Sequence, residues 1–192
     1  VEYHQGTRVT AIEPEAHRLQ LHDGSSLAYD RLLIATGSSL YAPLLGADMP
    51  GVYNFKSLSA AEALVQRVRT GEARSAIIVG AGFIGMEIAL LLCELGVRVT
   101  QLEMLDQVMG SMLDAETAAV ALELMRARGV EVRLNTKVAA FSGNGRATGV
   151  ELESGELLKA DLLIAATGVK PNLDLLAGSG IAHQWGIQVD AT

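Results

Sequence analysis

Apolar and polar positions along this chain follow two periods, and the changes of period mark out its elements. Ser75–Val79 (SAIIV) is a short apolar run, the pattern of a parallel strand covered on both faces. Over 83–95 the spacing becomes helical, with Ile84, Ile88, Leu91, Leu92 and Leu95 apolar, and 97–102 returns to a strand. Asp114 reads as the N-cap of a helix over 115–128 that Gly129 stops, with a strand over 130–134 next. Upstream, Ser57 reads as the N-cap of a helix carrying Ala60, Ala61, Leu64, Val65 and Val68 on one face and ended by Gly71. Pro43, Gly46, Pro50 and Gly51 punctuate the loop before it. A tail over 171–192 opens on Pro171-Asn172 and closes on a strand-like segment, 186–190.

The same pattern occurs twice. Residues 19–37 (LQLHDGSSLAYDRLLIATG) align without gaps on residues 150–168 (VELESGELLKADLLIAATG), at an offset of 131 residues. Each copy has an alternating strand, a turn glycine (Gly24, Gly155) and a second short strand. An aspartate follows (Asp30, Asp161), then an LLIA run that predicts a strand buried on both faces, ending in Ala-Thr-Gly. A glycine motif opens at Gly80, 86 residues before Ala166; an equivalent for the first copy would lie about fifty residues before Val1, by the same offset. The chain therefore reads as a piece that starts inside one nucleotide domain and contains a second.

Composition narrows the class. Hydrophobic residues make up 49% and aromatics only 4%, which suits thin layers of aliphatic side chains between a parallel sheet and helices, an α/β fold. A net charge of −7 disfavours nucleic acid and anionic membranes as partners. The most apolar stretch, 76–93, contains Glu87 and glycines at 80, 82 and 85, which excludes a membrane-spanning helix. Cys93 is the only cysteine, so no internal disulfide or zinc cluster can form, and a reducing, cytoplasmic setting fits. The histidines, at 4, 17, 22 and 183, lack metal-ligand spacing and read as surface residues.

The chemistry centres on Gly80-Ala81-Gly82-Phe83-Ile84-Gly85, a GxGxxG turn between a strand and a helix. Gly80 allows the tight turn, Gly82 lets the backbone approach a pyrophosphate, and Gly85 lets helix and strand pack. The helix N-terminus offers N–H groups and a positive dipole end to phosphates. Glu103 ends the second strand, 18 residues after Gly85. A carboxylate there can accept from both ribose hydroxyls of an adenosine, each charge-assisted bond worth about 1.5–3 kcal/mol, and it repels a 2′-phosphate. No Lys or Arg falls between Arg98 and Arg126, which favours NAD(H) over NADP. Glu87, read as lying in the first helical turn, either complements the helix dipole or reaches toward a nicotinamide. Cys93, inside an apolar helix, reads as packing.

Together, LLIATGS (32–38), Pro-Gly at 50–51, GAGFIGME (80–87), the strand ending at Glu103 and LLIAATGVKPN (162–172) resemble the pyridine nucleotide-disulfide oxidoreductase family. The likeness is strongest to its branch of NADH-dependent rubredoxin and ferredoxin reductases, nitrite reductase NADH-binding parts and NADH oxidases. It implies a Rossmann-like three-layer (ββα) NAD domain with a parallel sheet and β-meander, inserted in a split FAD domain. On that division 1–40 is an incomplete FAD-domain segment, 41–171 the NAD domain and 172–192 a tail returning to the FAD domain. The resemblance assigns Gly80, Gly82, Phe83, Ile84, Gly85 and Glu103 to NAD, and Glu87, Thr167, Gly168 and Val169 to its nicotinamide side. It places Thr36 and Gly37 near the FAD. Lys170 stands where many relatives carry Arg. The implied activity is hydride transfer from NADH to FAD and on to an acceptor in a longer protein, this chain alone being inactive; a homodimer is left open. Rival readings are a free-standing NAD-sensing module and the FAD-binding domain of an amine oxidase or monooxygenase.

Overall fold

The computed structural model describes residues 1–53 and 58–190 and divides into two units, residues 1–39 with 169–192, and Leu40–Gly168. Ser57, expected as an N-cap, lies outside the described residues.

The first unit opens with an antiparallel meander, β1 (Val9–Glu13), β2 (Arg18–Leu21) and β3 (Ser26–Ala28). Gly24, at φ +83°, makes the β2–β3 turn. Asp23 Oδ1 steadies it by accepting from Ser25 N at 2.9 Å and Ser25 Oγ at 2.6 Å. The expected strand over 32–35 is absent: these residues take no strand pairing, and Leu33 is 87% exposed. A parallel strand exists only through its neighbours, and none lies beside this run among the described residues. The chain continues into β4 (Ser38–Leu40).

The second unit is built on a five-stranded, all-parallel sheet. It contains β5 (Val52–Tyr53), α1 (Leu58–Arg69), β6 (Ser75–Val79), α2 (Phe83–Glu94), β7 (Arg98–Leu102), α3 (Ala115–Ala127) and β8 (Glu131–Arg133). An antiparallel meander of β9 (Val138–Gly143), β10 (Ala147–Leu152) and β11 (Leu157–Lys159) precedes the last strand, β12 (Leu162–Ala165). The sheet order is β5-β12-β6-β7-β8, and β5 was not foreseen because a two-residue strand leaves no period to read. Alternate strand residues feed two cores. Ile78, Leu162 and Ile164 pack toward Leu64, Leu92 and Met125 of the helices, while Ile77, Val79 and Leu163 pack toward Phe141, Val150 and Leu152 of the meander. The three layers and the α/β class are as expected. Asp114 caps α3, its Oδ1 accepting from Thr117 N at 2.9 Å, and Gly71 and Gly129 follow α1 and α3 at positive φ.

Returning to the first unit, β13 (Val169–Pro171) pairs with β4. The strand expected over 186–190 reduces to a single bridge between His183 and Ile187, because the tail folds on itself with Gln188 N donating to Ala182 O at 2.9 Å. No helix among the described residues is long and apolar enough to cross a membrane.

One carboxylate ties the start of β12 to the start of β6. Asp161 Oδ2 accepts from Arg74 N at 2.9 Å, Ser75 N at 3.0 Å and Ser75 Oγ at 2.8 Å. These donors, the Arg74 amide foremost, hold its carboxyl below the ordinary carboxylate value. A carboxylate with a depressed folded pKa stabilises above its unfolded pKa, and that contribution is lost as pH falls through the folded pKa. Asp161→Ala is expected to lower the unfolding free energy by about 1–2 kcal/mol at neutral pH, the yield of hydrogen bonds to a charged group near solvent. Denaturant titrations of both proteins across the acid range should converge as the carboxylate protonates.

Candidate functional site

In an open parallel sheet a ligand crevice forms where the strand order reverses, outside the carboxyl ends of the strands. Here β6 continues through α2 to β7 on one side, while β12 lies on its other side, so the reversal falls between β6 and β12. The residues that follow these strands, Gly80 and Ala166, meet there. A Cβ built on Gly80, which holds φ +107°, would lie 2.5 Å from Ala166 O. One built on Gly85 would lie 2.3 Å from Gly80 O. Gly82 differs, with φ −77° and nothing within 4 Å of where its Cβ would be. Two glycines of the motif are therefore required by packing, and the middle one faces open space.

Gly82 is also the N-cap of α2, and no side chain caps that end. The first N–H groups of the helix lack intrahelical partners, and the helix dipole adds positive character at the same place. Phe83 and Ile84 flank the opening, 59% and 51% exposed.

Glu103 is brought to this turn and held there by the backbone. It is 9% exposed; its Oε2 accepts from Ala81 N at 2.7 Å and its Oε1 from Leu105 N at 2.9 Å. Backbone bonds fix the residue as well, since Glu103 N donates to Arg133 O and Thr136 N to Glu103 O. A carboxylate offers about four acceptor sites, so lone pairs remain on both oxygens. Beside it, Gln101 donates from Nε2 to Gly80 O at 3.0 Å. Sequence reading passed over Gln101; its one signal was an uncharged polar residue between Thr100 and Leu102 in a strand that also carries Arg98.

Thr167 lies next to the turn, and its hydroxyl donates to Tyr41 O at 2.5 Å, while Tyr41 N donates to Gly168 O at 3.0 Å. Val169, Thr36 and Gly37 belong to the first unit. There Thr36 Oγ1 donates to Asn172 O at 2.8 Å, and Asn172 donates from its side chain to Thr36 O and from its backbone to Gly37 O. Glu87 is exposed and is the fifth residue of α2, past the first turn where it was expected. A dipole interaction falls off within that first turn, so the dipole account of this acid weakens. Cys93 is partly buried among the helices, and burial pushes its thiol up, away from the reactive thiolate.

The whole chain, residues 1–192, matches the family described as pyridine nucleotide-disulphide oxidoreductase. The chain belongs to that family. It is 35% identical over 191 residues to the NADH-dependent phenylglyoxylate dehydrogenase subunit epsilon of Aromatoleum evansii, a match covering 99% of this chain and 45% of that protein. To the biphenyl dioxygenase system ferredoxin–NAD(+) reductase component of Paraburkholderia xenovorans (strain LB400) it is 34% identical, covering 100% of this chain and 47% of that one. It thus spans under half the length of these curated relatives. Among solved structures, the ferredoxin reductase for the CYP199A2 system from Rhodopseudomonas palustris superposes with a TM-score of 0.86 at 28% identity, covering 94% of this chain and 45% of that one.

The family's glycine motif separates into two physical roles in this chain, and two substitutions should show it. Gly85→Ala forces a Cβ against the Gly80 carbonyl and is expected to cost about 1–3 kcal/mol of stability. Gly82→Ala, at an ordinary φ with open space beyond, should leave the melting temperature near wild type. Thermal melts of both variants check the contrast.

Proposed function

We propose that the unit Leu40–Gly168 binds NAD(H) at the Gly80–Gly85 turn, within a longer flavoprotein oxidoreductase. Residues 1–40 and the tail 172–192 are then parts of an FAD domain, and 41–171 is the NAD domain. The observation that carries the reading is the open backbone face at Gly82, at the uncapped start of α2, with Glu103 fixed on the same turn.

The residues present fit a dinucleotide. Gly82 leaves room for a pyrophosphate to lie against the backbone, and the free N–H groups of α2 would receive its charge. Glu103 keeps acceptor capacity for the adenosine ribose and presents a negative charge to any 2′-phosphate. Gly168, Thr167 and Val169 are assigned to the nicotinamide side, with the exposed Glu87 at that end, and Thr36 and Gly37 to the FAD side. A bound nicotinamide would supply a hydride for a flavin, and the part of these residues would be to bind and orient the dinucleotide. Support for this activity comes from relatives named as NADH-dependent, as ferredoxin–NAD(+) reductase and as rubredoxin-NAD(+) reductase. The acceptor of the whole protein is accordingly proposed to be a redox protein.

Titrating the purified chain with NADH, NADPH and FAD separately tests the reading. NADH is expected to bind, NADPH at least tenfold more weakly, roughly the cost of one uncompensated charge contact. The chain alone should hold no FAD and show no turnover. Gly82→Ala should abolish NADH binding in a protein that still melts normally. Stoichiometric FAD binding at the glycine turn would sink the proposal in favour of an oxidase or monooxygenase domain. Turnover-competent partners found only through an NADH-dependent shape change would favour a sensing module.

A further inference from the structure

The peptide that joins Gly80 to Ala81 has two polar atoms, and β7 together with the residue that follows it holds both. Gln101 Nε2 donates to Gly80 O at 3.0 Å, and Glu103 Oε2 accepts from Ala81 N at 2.7 Å. Between them, Leu102 O accepts from Gly80 N at 2.8 Å. Residues 101 and 103 are two apart in the chain, Glu103 following β7 directly, and their side chains grip the peptide from both ends. Glu103, as a carboxylate, can only accept, and therefore admits only the N–H. Gln101 supplies the donor that the carbonyl needs, the single hydrogen-bond partner of Gly80 O among the described residues.

The amide brings both a contribution and a cost to this position. Gln101 is fully buried, in register with the aliphatic Ile78 and Val132 of the neighbouring strands. Its Oε1 has no hydrogen-bond partner among the described residues, a desolvation cost that offsets part of what the Nε2 bond to Gly80 O contributes. The rest of the turn is shaped around the amide: a Cβ on Gly85 would lie 3.1 Å from Gln101 Nε2.

We propose that Gln101 is a positioning residue for the dinucleotide. With Glu103 it fixes the orientation of the Gly80–Ala81 peptide, so that the turn leading to Gly82 is set before the pyrophosphate arrives. Binding then carries no cost of ordering the turn. This inference rests on the NADH reading of the turn, and its test separates the two.

Two variants in the protein that carries this chain decide it, Gln101→Leu and Gln101→Glu, each read by hydrogen exchange of the Ala81 amide without ligand and by NADH affinity. Gln101→Leu removes the donor. Ala81 exchange should quicken and NADH bind about tenfold more weakly at every pH, as expected for a lost buried hydrogen bond. Gln101→Glu keeps the donor only while protonated. The charged groups placed around it are Glu103, which holds the other end of the same peptide, and Arg126 of α3, which reaches O of Val132, the register partner of Gln101, at 3.5 Å. At low pH this variant should match wild type in both readouts. As pH rises and the new carboxyl ionises beside Glu103, protection of Ala81 and affinity should both fall at pH values where the melting temperature shows the variant still folded, which separates loss of the turn's geometry from loss of the fold. Because this variant keeps its donor at low pH, it remains informative where Gln101→Leu fails to fold. Wild-type exchange and affinity in both variants at every pH would overturn the proposal. If the unaltered protein binds no NADH, the proposed function fails, and the exchange of Ala81 still decides whether Gln101 holds the peptide.

Discussion

Where β6 turns into α2, stretches of backbone come closer than a side chain permits: a Cβ on Gly80 would meet Ala166 O at 2.5 Å and one on Gly85 would meet Gly80 O at 2.3 Å. That approach seats the start of α2 against the end of β6 and brings the exit of β12 beside it. The reversal of strand order falls at this meeting, and the uncapped start of α2 belongs to the same turn. Gly82, which packs against nothing, is the position where the same turn leaves space. Close packing and an open ligand face are thus set by alternating demands on three glycines within six residues.

The sheet beneath needs burial on both faces, and its two cores show why periodicity was informative for the second unit. Runs such as SAIIV and LLIA feed helices with one set of residues and the meander with the other, so a continuous apolar run identifies them. The duplicated LLIA shows where that reasoning stops. At 162–165 it is at most 3% exposed, between β5 and β6; at 32–35 the same four residues form no strand and Leu33 is open to solvent. The preceding aspartates diverge in parallel. Asp161 grips the start of β6, whereas Asp30 is exposed and makes no hydrogen bond to any described residue. A strand's sequence states its tolerance for burial, but the neighbouring strand decides whether burial happens.

The site was legible to a similar depth. The glycine turn, its flanking strand and helix and the acid at the end of β7 are local in sequence, and each carries its own signal. What the sequence did not carry were bonds between elements. Glu103 is buried on two backbone N–H groups, and nothing in its neighbours in sequence announces that Ala81 folds back over it. The Thr167 hydroxyl is directed to Tyr41 O across 126 residues. Gln101 had the faintest signal of all, one of three polar residues in β7, and it became meaningful only beside Gly80 O.

The fixed state of Glu103 bears on nucleotide choice under the proposed reading. A flexible surface carboxylate can swing away from a 2′-phosphate, so its discrimination is diluted by its own mobility. Here the carboxylate is held by two backbone donors, its peptide group is bonded on both sides, and little solvent remains around it to screen its charge. A ribose would then meet acceptors already in place, with no side-chain entropy left to lose. A 2′-phosphate would meet a negative charge that cannot retreat without releasing Ala81 N and loosening the turn that holds the pyrophosphate. Under that reading, preference for the unphosphorylated nucleotide would be a property of the clamp on Gly80–Ala81 as much as of the acid itself.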